Sequence, residues 1–424
     1  MFGHSNAEVL VVGAGPVGLF ASLWLLHRGV KPRIIDKEQG RTTRSYSLAL
    51  HARSMELMNE LGLADKILEH SLRLDRIGLY DGNEQRGEID LSTLPSEFAH
   101  LTVLPQSRLE QLLIDALDDR GISVEWHRRL ARVSQRDDHV VATVEKLDKD
   151  SVGYAISHTE MVVLSARDMK VPFVLAADGH NSVIRRQLGI EFPSLRPPLH
   201  IGVLEFTPKA APAEPRIVVD EKTTNVLWPL PGERYRWSLQ IPDKQVRELF
   251  PHGDVFHRGK DRMVLRLGSQ DFVPIEVEQI DEWIGQRAPW FHTDMRQIHW
   301  HFAVRFEHRH ADAFGEGRIW LAGDAAHLTG PVGGQSMNVG LREAANLGDR
   351  FAGILHDNES MTGLARYNDK QLAEWNFLLG ATGKPTALAK ASPWIAKRAK
   401  RLLPCLPASG SHLDHLLEEL GLRG

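Results

Sequence analysis

The sequence predicts an α/β protein in which a largely parallel, doubly wound sheet is interleaved with an antiparallel-sheet domain and followed by a helical C-terminal segment. Three observations carry that reading. Short apolar runs enter glycine loops and continue at helical spacing, in GAGPVG at residues 13–18 and in LAGDAAHLTGPVGGQSMN at residues 321–338. A related loop, LAADGHNSVIR at residues 175–185, also follows an apolar run. Between these last two, residues 198–310 alternate with period two and are rich in aromatics, as in an antiparallel sheet with a packed face.

Size and charge narrow the function classes. The 424 residues, 42% hydrophobic and 25% charged, suit a globular chain of about two to three domains. Lys and Arg total 51 against 55 Asp and Glu, a net charge of −4 with no basic block, so a small-molecule ligand is expected rather than nucleic acid or an anionic membrane. The single cysteine, Cys405, excludes an internal disulfide framework and a dithiol pair. The first residues lack the pattern of a signal peptide, and no apolar stretch approaches the ~20 residues that span a bilayer. A cytoplasmic protein is the expectation.

The first element is a strand over residues 8–12, then a tight turn and a helix over residues 19–27. Gly13 permits the turn, Gly15 lets backbone approach a pyrophosphate, and Gly18 lets helix and strand pack closely. Pro16 and Val17 open the helix, whose N–H groups and positive dipole end face the phosphates. A second strand over residues 31–36 ends in Asp36, placed to accept hydrogen bonds from an adenosine ribose, with Lys37 beside it and Glu38 as a competitor. This motif speaks for a dinucleotide and does not separate NAD from FAD.

Residues 41–63 begin with Arg41 and Arg44 and become an amphipathic helix; Arg44 has the reach to donate two hydrogen bonds to phosphate, or is a solvated arginine at a helix start. Residues 76–91 read as a hairpin around Asp81, Gly82 and Asn83. Gln106 heads another amphipathic helix and is either a phosphate or ribose donor or a plain N-terminal polar residue. Asp178 and Gly179 close the strand over residues 171–177, and a new helix starts at Ser182. An acid there suits a sugar hydroxyl or a water, and Arg185, one turn on, a phosphate; a simple turn with a serine cap explains the same residues.

The third loop is the most specific. A strand over residues 318–322 enters Gly323 and Asp324, and Pro331, Gly333 and Gly334 lead into a helix that starts near Gln335, Ser336, Met337 and Asn338 and runs to residue 355. Asp324 is placed for ribityl or ribose hydroxyls. The helix start aims positive potential at one point, which suits a flavin, because reduction puts negative charge on its N1 and C2 carbonyl. FAD, bound without a covalent link, is therefore the expected cofactor, and the parallel-sheet domain is Rossmann-like.

In this order the motifs, with LHARSMELMNELGL, LPQSRLEQLL and GRIWLAGDAAH, resemble the class A flavoprotein monooxygenases of the para-hydroxybenzoate hydroxylase and phenol hydroxylase type. The resemblance runs to about residue 367. It implies that Gly13, Gly15, Gly18 and Asp36 hold the ADP half, that Arg44 and Gln106 contact the phosphate region, and that Asp178 and Arg185 serve FAD and nicotinamide handling. Asp324 and the loop at residues 331–338 would hold the flavin half. It also implies NADH or NADPH as reductant, O2 as co-substrate and oxygen transfer through a flavin C4a-hydroperoxide to an aromatic or polyketide-like ring. Two departures fall at the flavin: the usual GGQGMN is GGQSMN, introducing Ser336, and the common double proline is Gly330 and Pro331. A thioredoxin-like C-terminal domain, frequent in phenol hydroxylases, is not expected.

The resulting division assigns residues 1–75, 101–197 and 311–366 to the FAD-binding domain, 76–100 and 198–310 to a substrate-binding sheet domain, and 367–424 to C-terminal helices that pack on the flavin domain or form a homodimer edge. Trp228, Tyr235, Trp237 and Phe302 are the candidate lining of an apolar pocket, with half or more of them expected to be plain core. Tyr235 or His301 is the candidate to assist removal of a substrate proton. The pairs His299/His301 and His308/His310 share strand faces, but no carboxylate or cysteine stands at metal-ligand spacing with them, so no metal is expected. A reductase or dehydrogenase of the same fold is the alternative function. WSLQIP at residues 237–242 lacks the second tryptophan of the halogenase pattern, and three intact loops argue against a non-catalytic scaffold.

Overall fold

A computed structural model describes residues 7–41, 49–152, 158–210, 212–249, 265–267, 270–291 and 297–424. β1 (Val9–Val12) is buried at all four positions, as expected of a strand covered on both faces. α1 (Pro16–His27) has proline in its first turn, where the missing N–H costs nothing, and its residues 17–25 are all buried. An all-round apolar helix must be enclosed on several sides. It lies against the long helix Gln335–His356, whose Asp349 accepts from the Trp24 indole at 2.8 Å, and against the helix Gln106–Asp118.

The parallel sheet places β1 between β2 (Pro32–Ile35) and the strand Phe173–Ala176, which pairs with Ile319–Leu321. Chain direction from β1 thus leads to neighbours on both sides, and the crevice at the carboxyl ends of such strands is where open α/β sheets bind ligands. All three motif loops leave the sheet at that end.

A second, eight-stranded sheet is antiparallel except where Arg216–Val219 meets Arg76–Asp81. The expected hairpin is there, Arg76–Asp81 with Glu84–Asp90. The strands expected near residues 200–206 and 299–306 extend to Ser194–Thr207 and Gln297–His310, because they pair with each other along almost their whole length. The short strand His327–Leu328, which follows the Asp324 loop, pairs with residues 309–310 of this sheet and stitches the two sheets together. The C-terminal helices form a further layer: Arg342 of the long helix makes a two-pronged pair with Glu374 at 2.7 and 2.9 Å, and Arg398 reaches Asp81 at 2.9 Å. Among the described residues, no helix is long and apolar enough to cross a membrane.

Candidate functional site

The three loops are brought together by backbone packing. Gly13 has φ 106°, and a Cβ there or at Gly18 would overlap a carbonyl oxygen, of Ala177 and of Gly13 respectively. Val17 fills the space beside Gly323 and Gly340, so the first loop, the third loop and the long helix share one contact. Gly15 differs: a Cβ there would meet no protein atom within 4 Å. The loop is closed on the protein side and open where a ligand approaches.

The acids stand around this opening. Asp36 Oδ2 accepts from the Ala14 N–H at 2.6 Å and Oδ1 from the Glu38 N–H at 2.8 Å, so the carboxylate shapes the glycine loop as well as facing it. Lys37 beside it is exposed. Asp178 Oδ2 accepts from the Val183 N–H at 2.8 Å, whereas its Oδ1 is buried with no hydrogen-bond partner. Burial raises its carboxyl above the usual range, against hydrogen bonds from Ser182, Val183 and Ile184 that lower it. Gln106 donates to Glu110 at 2.7 Å, one turn along its helix. Arg44 lies outside the described residues.

Arg185 is corrected from a phosphate ligand to a strut. Its guanidinium donates to the carbonyls of Ala325 at 2.6 Å and His180 at 2.8 Å and stacks on Phe192, tying the second loop to the third. One turn into a short helix, the side chain turns back onto the loops instead of out to the crevice.

Side chains hold the entrance of the long helix. Gly334 caps it at φ 64°, and Gly333 lies so close to the Pro404 carbonyl that a Cβ would overlap it, with Pro331 half-buried before them. Gln335 donates to the carbonyls of Leu406 and Ala408, and Met337 is buried. All four hydrogen-bonding positions of the Asn338 amide are spent on His51 N–H, Ser54, Ala49 O and Gly334 O. Its side chain is therefore a loop anchor, and only its backbone is left for a ligand. His51, which the sequence reading missed, holds the Gly333 carbonyl at 2.8 Å; burial pushes it down to about 3, so it is neutral and its Nε2–H donates.

Asp324 is exposed and accepts from the Ser336 hydroxyl at 2.6 Å. Behind it lies a second group the sequence reading missed. Glu343 and His327 are fully buried and bonded at 2.8 Å; Glu343 also accepts from the Gly323 N–H and the Trp375 indole, each at 2.9 Å. His327 stacks on Trp375 with centroids 3.9 Å apart. The signal available was an acid on the inner face of an amphipathic helix, which only a partner explains.

Strand register sorts the expected pocket residues between two faces. Val203, Glu205, Arg236, Trp300, Phe302 and Val304 share the face that begins beside Gly330, where Leu199 and His308 lie 3.7 and 3.9 Å from the position of a Cβ. Trp228 is on the same face, packed into the main core. Phe302 is half-buried there with Trp300 stacked on it at 6.1 Å, beside the buried Arg236–Glu205 ion pair. Tyr235 and Trp237 point the opposite way. Trp237 is wholly buried edge-on to Phe291 and joins Tyr235 in the cluster that includes Trp283 of the helix Val277–Arg287. His301 is also on that far face, with Nδ1 bonded to the Ile275 carbonyl at 2.7 Å. Period two fixes that alternate residues part company, not which set faces the cradle; Tyr235, Trp237 and His301 lie on the far face, Trp237 as core and the other two half-buried, and cannot line a pocket on the near face.

The donor set fits a dinucleotide. Both helix entrances lack a side-chain cap and an acidic first turn, Gly15 is open, and Asp178 offers a buried, unpartnered oxygen. Residues 6–376 match the family described as FAD binding domain. The chain belongs to that family. Within it, the chain is similar to pentachlorophenol 4-monooxygenase of Sphingobium chlorophenolicum, 27% identical over 357 residues, covering 82% of this chain and 58% of the relative. It is also similar to 6-methylpretetramide 4-monooxygenase of Streptomyces rimosus, 26% identical over 385 residues, covering 90% and 62%. The chain thus spans about three fifths of the length of these relatives. The solved p-nitrophenol 4-monooxygenase from Pseudomonas putida DLL-E4 shares the fold, with a TM-score of 0.71 at 18% identity over 99% of this chain and 94% of that one. FAD is accordingly the cofactor.

Proposed function

We propose that this chain is a FAD-dependent monooxygenase that hydroxylates an aromatic or polyketide-like small molecule, with NADH or NADPH as reductant and O2 as co-substrate. The observation that carries the reading is the junction at Gly330, where the Asp324 loop runs into a sheet whose adjoining face holds Leu199, Phe306, Phe302 and Trp300. An apolar aromatic wall beside the flavin loop binds a flat ring and excludes water. Relatives named for pentachlorophenol and 6-methylpretetramide support the same substrate class.

The residues divide the work as follows. The α1 entrance and the open backbone at Gly15 bind pyrophosphate, with Asp36 toward the ribose and Asp178 offering its buried oxygen to a hydroxyl or water. Asp324 accepts from the ribityl chain. The N–H groups at the start of the long helix would stabilise the negative charge that reduction deposits on the flavin ring. Bound FAD supplies the electron transfer and oxygen activation that side chains lack. The reading includes a cytoplasmic location.

Under ¹⁸O2 with a phenolic substrate and NAD(P)H, one labelled oxygen is expected in the product. Turnover with an unlabelled product would replace the hydroxylase by a reductase or dehydrogenase of the same fold.

A further inference from the structure

The hydroxyl of Ser336 stands between Asp324 and the buried His327–Glu343 pair. On one side it donates to Asp324 Oδ1 at 2.6 Å; on the other it faces Nδ1 of His327 at 3.4 Å, whose Nε2 is bonded to buried Glu343. Glu343 also holds the Gly323 N–H, so the residues on both sides of Asp324, Gly323 and His327, are fastened to the same carboxylate of the long helix. Asp324 itself is exposed and has no other hydrogen-bond or ion-pair partner among the described residues. That hydrogen bond engages Oδ1 and biases the rotamer of an exposed aspartate, leaving Oδ2 without a protein donor among the described residues.

We propose that Ser336 is a positioning residue for the cofactor: it presets the Asp324 carboxylate so that Oδ2 is presented to a hydroxyl of the flavin half of FAD. This rests on the reading of Asp324 as a ribityl acceptor. Ordering the carboxylate before binding removes a conformational cost that the complex would otherwise bear. Hydrogen bonds to a charged group are among the stronger ones, so losing this one should weaken FAD by about tenfold. Gly15 and Asp36, around which the adenosine half is expected, have no hydrogen bond to Ser336 or Asp324, so affinity for that half should not respond.

The test measures FAD and ADP dissociation constants for the wild type, Ser336→Gly, Ser336→Thr, Asp324→Asn and the Ser336→Gly/Asp324→Asn double variant. The expected result is that Ser336→Gly weakens FAD about tenfold and leaves ADP unchanged, that Ser336→Thr restores most of the affinity, and that Ser336→Gly has no further effect once Asp324 is Asn. Unchanged FAD affinity in Ser336→Gly, an equal loss for ADP, or additive losses in the double variant would overturn the assignment. If the wild type binds ADP and FAD and Asp324→Asn matches it, the reading of Asp324 fails instead.

Discussion

The cradle has two helix entrances built by different means. At α1 the chain is shaped by backbone: Gly13 and Gly18 pack against carbonyl oxygens, and one acid, Asp36, closes the turn. At the long helix the loop is held by its own Gln335 and Asn338, which bond distant segments, by the side chains of His51 and Ser54, and by the carbonyls of residues 404–408. A backbone-shaped entrance tolerates little change at its glycines and leans on the other loops through backbone and Val17 packing instead of side-chain hydrogen bonds. The side-chain-held entrance depends on the whole fold, and it is where substitutions tune the site without destroying it.

That contrast can be broken most severely at Glu343. Replacing it by alanine strips Gly323, His327 and Trp375 of one shared buried acceptor, and a loss of about 3–5 kcal/mol is expected in denaturant unfolding. A loss below 1 kcal/mol would mean that water replaces the carboxylate. At the backbone-shaped entrance, Gly18→Ala should cost about 1–3 kcal/mol, because its Cβ overlaps the Gly13 carbonyl. Gly15→Ala should leave stability within about 0.5 kcal/mol, as a surface change does, yet weaken FAD binding. Equal destabilisation by the two would contradict the division into a closed and an open side.

The smallest expected effect separates the entrances by pH. His51 is neutral in the folded protein with its pKa lowered from 6.5 to about 3 by burial, and the charges of Arg342 and His412 push it the same way against the Gly333 hydrogen bond. Below pH 6.5 the unfolded chain binds a proton that the folded one refuses until about pH 3, so stability falls with acidification across that window. The limiting slope for one such group is about 1.4 kcal/mol per pH unit. His308, lowered to about 4 by burial and by Arg196, adds to it. His51→Gln should flatten the acid limb between pH 6 and 5, measured by denaturant titration; an unchanged slope would show that His51 does not contribute.

The parts legible in the sequence were those with local causes. Gly13, Gly15 and Gly18 announce a turn, an approach and a close packing within six residues, and the long helix is read from its own periodicity. What depends on partners far along the chain was not legible. Tyr235 and Trp237 obey the same period two as Phe302, and only pairing with the neighbouring strands assigns the face. Arg185 has the type and place of a phosphate ligand, yet two carbonyls, one of them 140 residues away, claim it. Glu343 looks like any helix acid until His327 and Trp375 are folded onto it.

The most direct measurement of the central claim, that the three loops hold one FAD, is a fluorescence titration of the purified apo-chain and of Gly15→Ala with FAD, with unfolding curves recorded alongside. One FAD per chain for the wild type is expected, and a marked loss of affinity at undiminished stability for Gly15→Ala. A wild-type chain that takes up no FAD, or a variant that binds it equally well, would contradict the account.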